Sequence, residues 1–307
     1  VPRKDLLTLE EIARIAQAFA ALGMRKVRIT GGEPLIRRNL EHLIEMLNAT
    51  NGIEDISLTT NGSMLTTGRA LALKQAGLRR LTVSLDALDD KTFKQINDVD
   101  YPASRVLDGI DNARSAGFSE IKVNAVVRRG FNEHAVLDLV DHFRGTGCIV
   151  RFIEYMDVGE TNGWNLDDVI PARELISQID AKYPVEPISP NYQGEVAKRW
   201  RFRDDQGEIG FITSVTESFC GDCSRARLSA VGKIYTCLFA TEGHDLRMLL
   251  RSGASDSDLL ESITNIWQTR SDRYSELRGM NAPMPDSGKS KVEMSHIGGE
   301  TSRPIVK

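Results

Sequence analysis

Three cysteines, Cys220, Cys223 and Cys237, have the type and spacing that suit metal chemistry. The first two form a C-x-x-C turn in the run Phe219-Cys-Gly-Asp-Cys-Ser-Arg-Ala-Arg-Leu228, and the third follows in Tyr235-Thr-Cys237. A closed structural zinc site takes four protein ligands. An iron–sulfur cluster held by only three thiolates leaves one iron open to another ligand. His244 is close enough in sequence to complete a zinc set, so both readings stand at this level. Arg225 and Arg227 come directly after the turn. Side chains two apart on an extended strand share a face, so Cys223, Arg225 and Arg227 are expected to point together, a metal beside anion-binding guanidinium groups.

A second group lies in the first half of the chain. Gly31-Gly32-Glu33-Pro34 follows a strand signal and precedes a helix signal. Its glycines let backbone approach a ligand, Pro34 suits a helix start, and Glu33 offers a carboxylate to an ammonium group. An ordinary strand-to-helix turn explains the same residues about equally well, and neither a dinucleotide fingerprint nor a P-loop has this spacing. Arg28, Lys122 and Arg151 each interrupt an apolar strand. Strands of a parallel sheet are expected to be apolar on both faces, and charges are rarely buried alone. One such cation is explained by a local ion pair; three on separate strands suggest a polyanion site, such as a nucleotide triphosphate. Thr59, Thr60 and Asn61 end one strand, and Ser84 and Asp86 another. Met156 reads as gap filler and Cys148 as a small buried hydrophobe.

These groups need a scaffold that brings distant segments together. Thr8 with Glu11 makes a capping box ahead of Ile12, Ile15, Ala16 and Phe19, and Gly23 ends that helix. Strands are expected at 26–30, 56–60, 81–85, 121–127 and 149–153, separated by helices near 40–47, 70–76, 105–116 and 134–143. This alternation implies βαβ units and a parallel sheet, wound as a barrel or as a doubly wound rival. In a barrel, chemistry sits at the carboxyl ends of the strands. Past Tyr183 the pattern changes to a hairpin (200–203 with 209–213), the cysteine segment, a second hairpin turning at 231–233, and helices near 246–250 and 259–267. The chain thus divides into 1–183, 184–278 and a tail, 279–307, expected to be flexible because Gly, Pro, Ser and Lys dominate it.

Bulk properties narrow the function classes. The 307 residues are 41% hydrophobic with net charge −4, which suits a real core and gives no basic excess to recommend nucleic acid as partner. No apolar run is long enough for a membrane span. Four cysteines in this length, two of them in C-x-x-C, point to a reducing, cytoplasmic setting and a metal rather than to disulfides.

Taken together, these motifs resemble the radical S-adenosylmethionine (SAM) superfamily and, within it, the GTP 3′,8-cyclase family that begins molybdenum cofactor biosynthesis. Gly31-Gly-Glu-Pro34 is similar to the superfamily's SAM loop; Leu58-Thr-Thr-Asn-Gly62, Val83-Ser-Leu-Asp-Ala87 and Arg151-Phe-Ile-Glu-Tyr-Met156 match further stretches; and the 219–237 cysteine segment matches the second-cluster motif of the cyclases. The resemblance implies an incomplete (βα) barrel of the triosephosphate isomerase type, with a parallel sheet and a C-terminal α+β segment closing its mouth. It implies two [4Fe-4S] clusters, the second on Cys220, Cys223 and Cys237 with an open iron taking the guanine. Gly32, Glu33, Ser84 and Met156 should contact SAM. Lys26, Arg28, Thr59, Lys122, Arg151, Arg225, Ala226 and Arg227 should contact GTP. The implied reaction, a lyase chemistry, uses a 5′-deoxyadenosyl radical to take the ribose 3′ hydrogen, after which the sugar radical adds to C8 of guanine, giving (8S)-3′,8-cyclo-7,8-dihydroguanosine 5′-triphosphate. Implied partners are a second copy of the chain and the downstream cyclic pyranopterin monophosphate synthase. The Cys-x-x-x-Cys-x-x-Cys loop for the first cluster does not occur, and the chain opens on Val1, so the first strand and that loop are expected upstream; without them no radical could be made. The family's terminal Gly-Gly pair corresponds to Gly298-Gly299, followed by eight further residues. Alternatives at this level are another radical SAM enzyme with an auxiliary cluster, such as a peptide-maturing one, and a zinc-knuckle binding module on a barrel.

Overall fold

The computed structural model describes residues 2–159, 163–192, 194–217, 220–221, 223–279 and 291–293. Helix α1 (Leu9–Ala21) starts at the expected capping box: the Glu11 N–H donates to Thr8 Oγ1 and the Thr8 N–H to the Glu11 carboxylate, pairing donors that the first turn leaves free. There follow β1 (Lys26–Ile29), α2 (Leu40–Asn48), β2 (Asp55–Thr60), α3 (Thr67–Gln75), β3 (Arg80–Ser84), α4 (Asp90–Asn97), α5 (Ala103–Ser115), β4 (Ile121–Val127), α6 (Ala135–Phe143) and β5 (Ile149–Glu154). Next come α7 (Ala172–Lys182), β6 (Val185–Ile188), β7 (Lys198–Phe202) and β8 (Glu208–Ile212). The chain continues through β9 (Arg227–Leu228), β10 (Lys233–Tyr235), β11 (His244–Asp245), α8 (Leu246–Arg251), α9 (Asp256–Gln268) and α10 (Tyr274–Gly279).

One sheet of eight strands runs β1-β2-β3-β4-β5-β8-β7-β6. Strands β1 to β5 are parallel neighbours in chain order. That order has no point of reversal, which is barrel winding and not the doubly wound alternative. The expected 200–213 hairpin forms as β7 and β8, but β8 also pairs in parallel with β5, while β7 and β6 run antiparallel. The sheet therefore crosses the 183/184 boundary drawn from the sequence.

Three helices lie outside the sequence expectation: α4, α7 and the short α10. Helix α4 begins at Asp89, whose carboxylate accepts from the Thr92 N–H, and buries only Thr92 and Phe93, too little apolar surface to leave a helical period in the sequence. Helix α7 lies between the last expected strand, 149–153, and Tyr183, where no element is expected from the sequence.

Apolar strand residues such as Leu58, Leu81, Val83, Val123, Ala125, Phe152 and Phe211 pack with the helices into the main core. A second core joins Ile15 and Ala18 of α1 to Ile234, Leu246, Leu250, Leu259 and Ile263. Ion pairs Arg14–Asp256 and Arg251–Glu11 reinforce that junction. Because α1 belongs to both cores, the cysteine segment, which lies between β8 and β11, is held against the barrel.

Candidate active site

Strand register places a polar row on one face of the sheet. Arg28 lies beside Ser57, Ser57 beside Arg80, Thr59 beside Thr82, Thr82 beside Lys122, and Ser84, Asn124, Arg151 and Gly210 form a continuous rank. Alternate residues face opposite ways, so the partners of the main core occupy the other face. Within this row the hydroxyls of Thr59 and Ser84 are buried and make no hydrogen bond. An unpaired buried hydroxyl costs about 1–3 kcal/mol, and in a cleft of this chemistry it suits a bound polar ligand.

The cations gather among them. Arg151 is buried at 8% exposure; its Nε donates to Asn124 Oδ1 at 2.9 Å. Gly210 makes room for it, since a Cβ there would stand 3.1 Å from Arg151 Cγ. Burial, followed by the charges of Arg151 and Arg80, lowers the Lys122 ammonium to about 8; Arg28 adds to this and Glu195 opposes it. Burial and the neighbouring Arg225 lower Arg227 to about 10, and Arg28 acts on it as well. Arg28 thus lies in electrostatic reach of both the barrel cations and those of the cysteine segment. Arg28 is exposed on β1, which among the described residues has only β2 beside it. Lys26 is exposed at the start of β1, its Nζ 3.5 Å from the centre of the Tyr192 ring.

The residues matched to the SAM loop lie at the carboxyl ends of the strands. Glu33 Oε1 accepts from the Leu35 N–H and the Thr60 hydroxyl, and Oε2 from the Asn61 N–H, at 2.7–2.9 Å. Burial nonetheless raises its pKa. Glu33 therefore pins the ends of β1 and β2 together beside Gly32, which is open on the side a Cβ would occupy. Ser84 ends β3, and two residues on, Asp86 is fully buried, accepts from the Val126 N–H and is pushed up to about 6 by burial. Met156 follows β5, whose last residue, Glu154, accepts from the N–H groups of Ala172, Val215 and Thr216 and from the Thr216 hydroxyl. That buried carboxylate ties β5 to α7 and to the loop leading toward the cysteines.

Cys220, Cys223 and Cys237 are half-buried free thiols. The Cys223 N–H donates to the Cys220 carbonyl at 3.2 Å, closing the C-x-x-C turn. Arg225 Nε and Nη2 donate to Cys223 Sγ at 3.3 and 3.2 Å. Burial alone would raise Cys223; the Arg225 charge and hydrogen bonds from Arg225 and Arg270 outweigh it and bring the thiol down to about 7. Burial raises Cys237, which also feels Cys220 and Arg227. Among the described residues, no three His, Cys, Asp or Glu side chains, the three thiols included, come together in a group that could hold a metal ion, and His244 joins none. Three free thiols flanked by guanidinium groups are nevertheless a donor set that suits a sulfur-ligated cluster, whose negative charge those groups would offset. Ala226 lies between the two arginines and packs on the second core, so it aims its neighbours.

Thr82, Asn124 and Gly210 were missed from the sequence. Their signal was the period-two alternation of β3 and β4, and for Gly210 a glycine inside a strand. The tail from 280 on, Gly298-Gly299 included, lies outside the described residues apart from Lys291–Glu293.

Comparison with known proteins covers both halves of the chain. Residues 1–143 match the Radical SAM superfamily and residues 148–276 match Molybdenum Cofactor Synthesis C. The chain is 52% identical to a GTP 3′,8-cyclase of Acidothermus cellulolyticus over 99% of its length and 85% of that protein's. It is 48% identical to one of Staphylococcus epidermidis, over 97% and 87%. Among solved structures it is similar to Streptococcus suis SuiB bound to S-adenosylmethionine, with a TM-score of 0.60 at 14% identity, over 92% of this chain and 63% of that one. At that identity the likeness concerns the fold, a partial barrel.

Proposed function

Because the chain belongs to the GTP 3′,8-cyclase family of radical SAM enzymes, we propose that its polar sheet face and cysteine segment together bind GTP for conversion to (8S)-3′,8-cyclo-7,8-dihydroguanosine 5′-triphosphate, the first step of molybdenum cofactor biosynthesis. The observation that carries the site assignment is the polar sheet face, where the buried, unpaired hydroxyls of Thr59 and Ser84 stand in register with Lys122 and the buried Arg151. A triphosphate would set its negative charge against these cations. A peptide substrate needs no such gathering, and the identity across both halves favours the cyclase over a peptide-maturing relative.

In this reading Lys26, Arg28, Lys122 and Arg151 hold the phosphates, and Thr59 donates its unpaired hydroxyl to the nucleotide. Arg225 and Arg227, with Ala226 between them, orient the guanine end. Ser84 donates to SAM, Gly32 admits its backbone-side approach, Glu33 takes its ammonium on the lone pairs left over from the loop, and Met156 packs on it. Cys220, Cys223 and Cys237 would hold a [4Fe-4S] cluster. The cofactors together supply radical hydrogen abstraction from the ribose. The protein's task is to hold sugar and base so that the resulting radical meets C8 and nothing else, which is catalysis by positioning. The family relation supports, as part of this reading, a homodimer and delivery of the product to cyclic pyranopterin monophosphate synthase. The four free thiols suit a reducing, cytoplasmic compartment.

Calorimetric titration of the reconstituted chain with GTP tests the assignment. Arg225→Ala should weaken binding by about 2–5 kcal/mol, the usual cost of truncating one member of a buried charge pair. An unchanged affinity would overturn the placement of the nucleotide beside the thiols.

A further inference from the structure

We propose that Asp157 is a positioning residue that fastens the Cys237 loop and the C-terminal segment to the stretch carrying Met156. The proposal deepens the cyclase reading and rests on it for the role of Met156. Asp157 is buried at 8% exposure. Its carboxylate accepts from the Tyr274 hydroxyl at 2.5 Å, from Arg278, and from Lys291 Nζ at 2.9 Å; Lys291 also donates to the Asp157 carbonyl at 3.1 Å. One carboxylate therefore serves two cations and a phenol, all from beyond the cysteine segment. Arg278 donates in addition to the Ser214 carbonyl at 2.6 Å, which brings in the loop after β8.

From Tyr274 the connection runs to a thiol. The Tyr274 ring stacks on Phe239 with centroids 4.4 Å apart and planes inclined by 16°. The Phe239 N–H lies 3.5 Å from Cys237 Sγ, to which it donates. Two further contacts brace the same corner: Trp164 Nε1 donates to the Tyr155 carbonyl at 2.9 Å, and the Val292 N–H to the Ala240 carbonyl at 3.2 Å. Met156 is thus joined to Cys237 through Asp157, Tyr274 and Phe239, and Lys291 is moored at the same carboxylate. The spacing between a SAM contact and a cluster ligand, which the reaction needs held, is set by this corner.

Asp157→Asn keeps the shape and an acceptor for Tyr274 while removing the charge that both cations share. A buried charge left without its partner is strongly unfavourable, so the corner should loosen while the barrel stays folded. The test is alkylation of the metal-free chain at fixed pH, with each cysteine followed by peptide mass spectrometry. Cys148, buried in the main core at the opposite end of β5 from this corner, reports global unfolding. Asp157→Asn should speed labelling of Cys237 by about tenfold, as expected when a local opening becomes cheaper. It should leave Cys148 unchanged, and trypsin should cut faster after Lys291. Asp157→Glu should recover part of the protection. Equal acceleration at Cys148 and Cys237 would reduce Asp157 to a general stability residue and overturn the proposal, as would no change at either. Neither result depends on substrate, SAM or turnover, so failure here is distinguishable from failure of the cyclase reading.

Discussion

Lys122 offers a quantitative handle on nucleotide binding through pH. Burial and the neighbouring Arg151 and Arg80 place its pKa at about 8, against an ordinary 10.5. Its charged fraction then falls from roughly nine-tenths at pH 7 to roughly one-tenth at pH 9. If the triphosphate engages only the ammonium form, GTP affinity should drop about tenfold across that interval, or about 1.4 kcal/mol. Ligand-free stability should move the other way. The folded pKa lies below the unfolded one, so between pH 8 and 10.5 the unfolded chain binds more protons and stability rises with pH. Opposite slopes for binding and stability identify one group as the source of both. The assay is calorimetric titration with GTP at pH 7, 8 and 9 at constant ionic strength, in the wild type and in Lys122→Arg. The guanidinium stays charged throughout, so the variant should lose the tenfold fall while retaining whatever change GTP's own titration causes. The same slope in both proteins, or a flat wild type, would refute the placement of Lys122 against the phosphates.

Two glycines supply further tests. Gly210→Ala puts a Cβ 3.1 Å from Arg151 Cγ; the side chain must shift, so nucleotide affinity should fall several-fold while the thermal midpoint changes little, as calorimetric titration and melting of the same sample would reveal. Gly109→Ala is the converse. Its Cβ would meet the Gly62 carbonyl oxygen at 2.4 Å, backbone against backbone, so the urea midpoint should drop by an amount equivalent to about 1–3 kcal/mol, with GTP affinity little altered once folded.

The scaffold was largely legible because helical and strand periods differ and caps are local: Thr8 and Glu11 act three residues apart. The C-x-x-C turn was legible because it is compact: its closing bond spans three residues. The polar face was read through its charges and its strand-end hydroxyls, Thr59 and Ser84, and not through the residues between them. Ile56-Ser-Leu-Thr, Leu81-Thr-Val-Ser and Ile121-Lys-Val-Asn all alternate strictly, yet the expectation of apolar parallel strands drew attention to Lys122 and away from Thr82 and Asn124. A barrel that encloses a polar ligand breaks that expectation on its inner side. Contacts between segments far apart in the chain leave no local pattern. Asp157 was invisible for that reason: its three partners lie 117, 121 and 134 residues away. The union of β5 with β8, across α7 and an antiparallel pair, was equally non-local.

That union bears on how the chain can be divided. β5 has β4 on one flank and β8 on the other. A cut anywhere between α6 and β5 would hand one piece a bare β4 margin and the other a bare β5 margin, each a row of unmet amide and carbonyl groups inviting self-association. Sequence modules and folding units need not coincide, and here the seam between modules runs through hydrogen-bonded fabric. Expressing either half alone should give insoluble material, and exchanging halves between relatives should succeed only where both sides of that seam are inherited together.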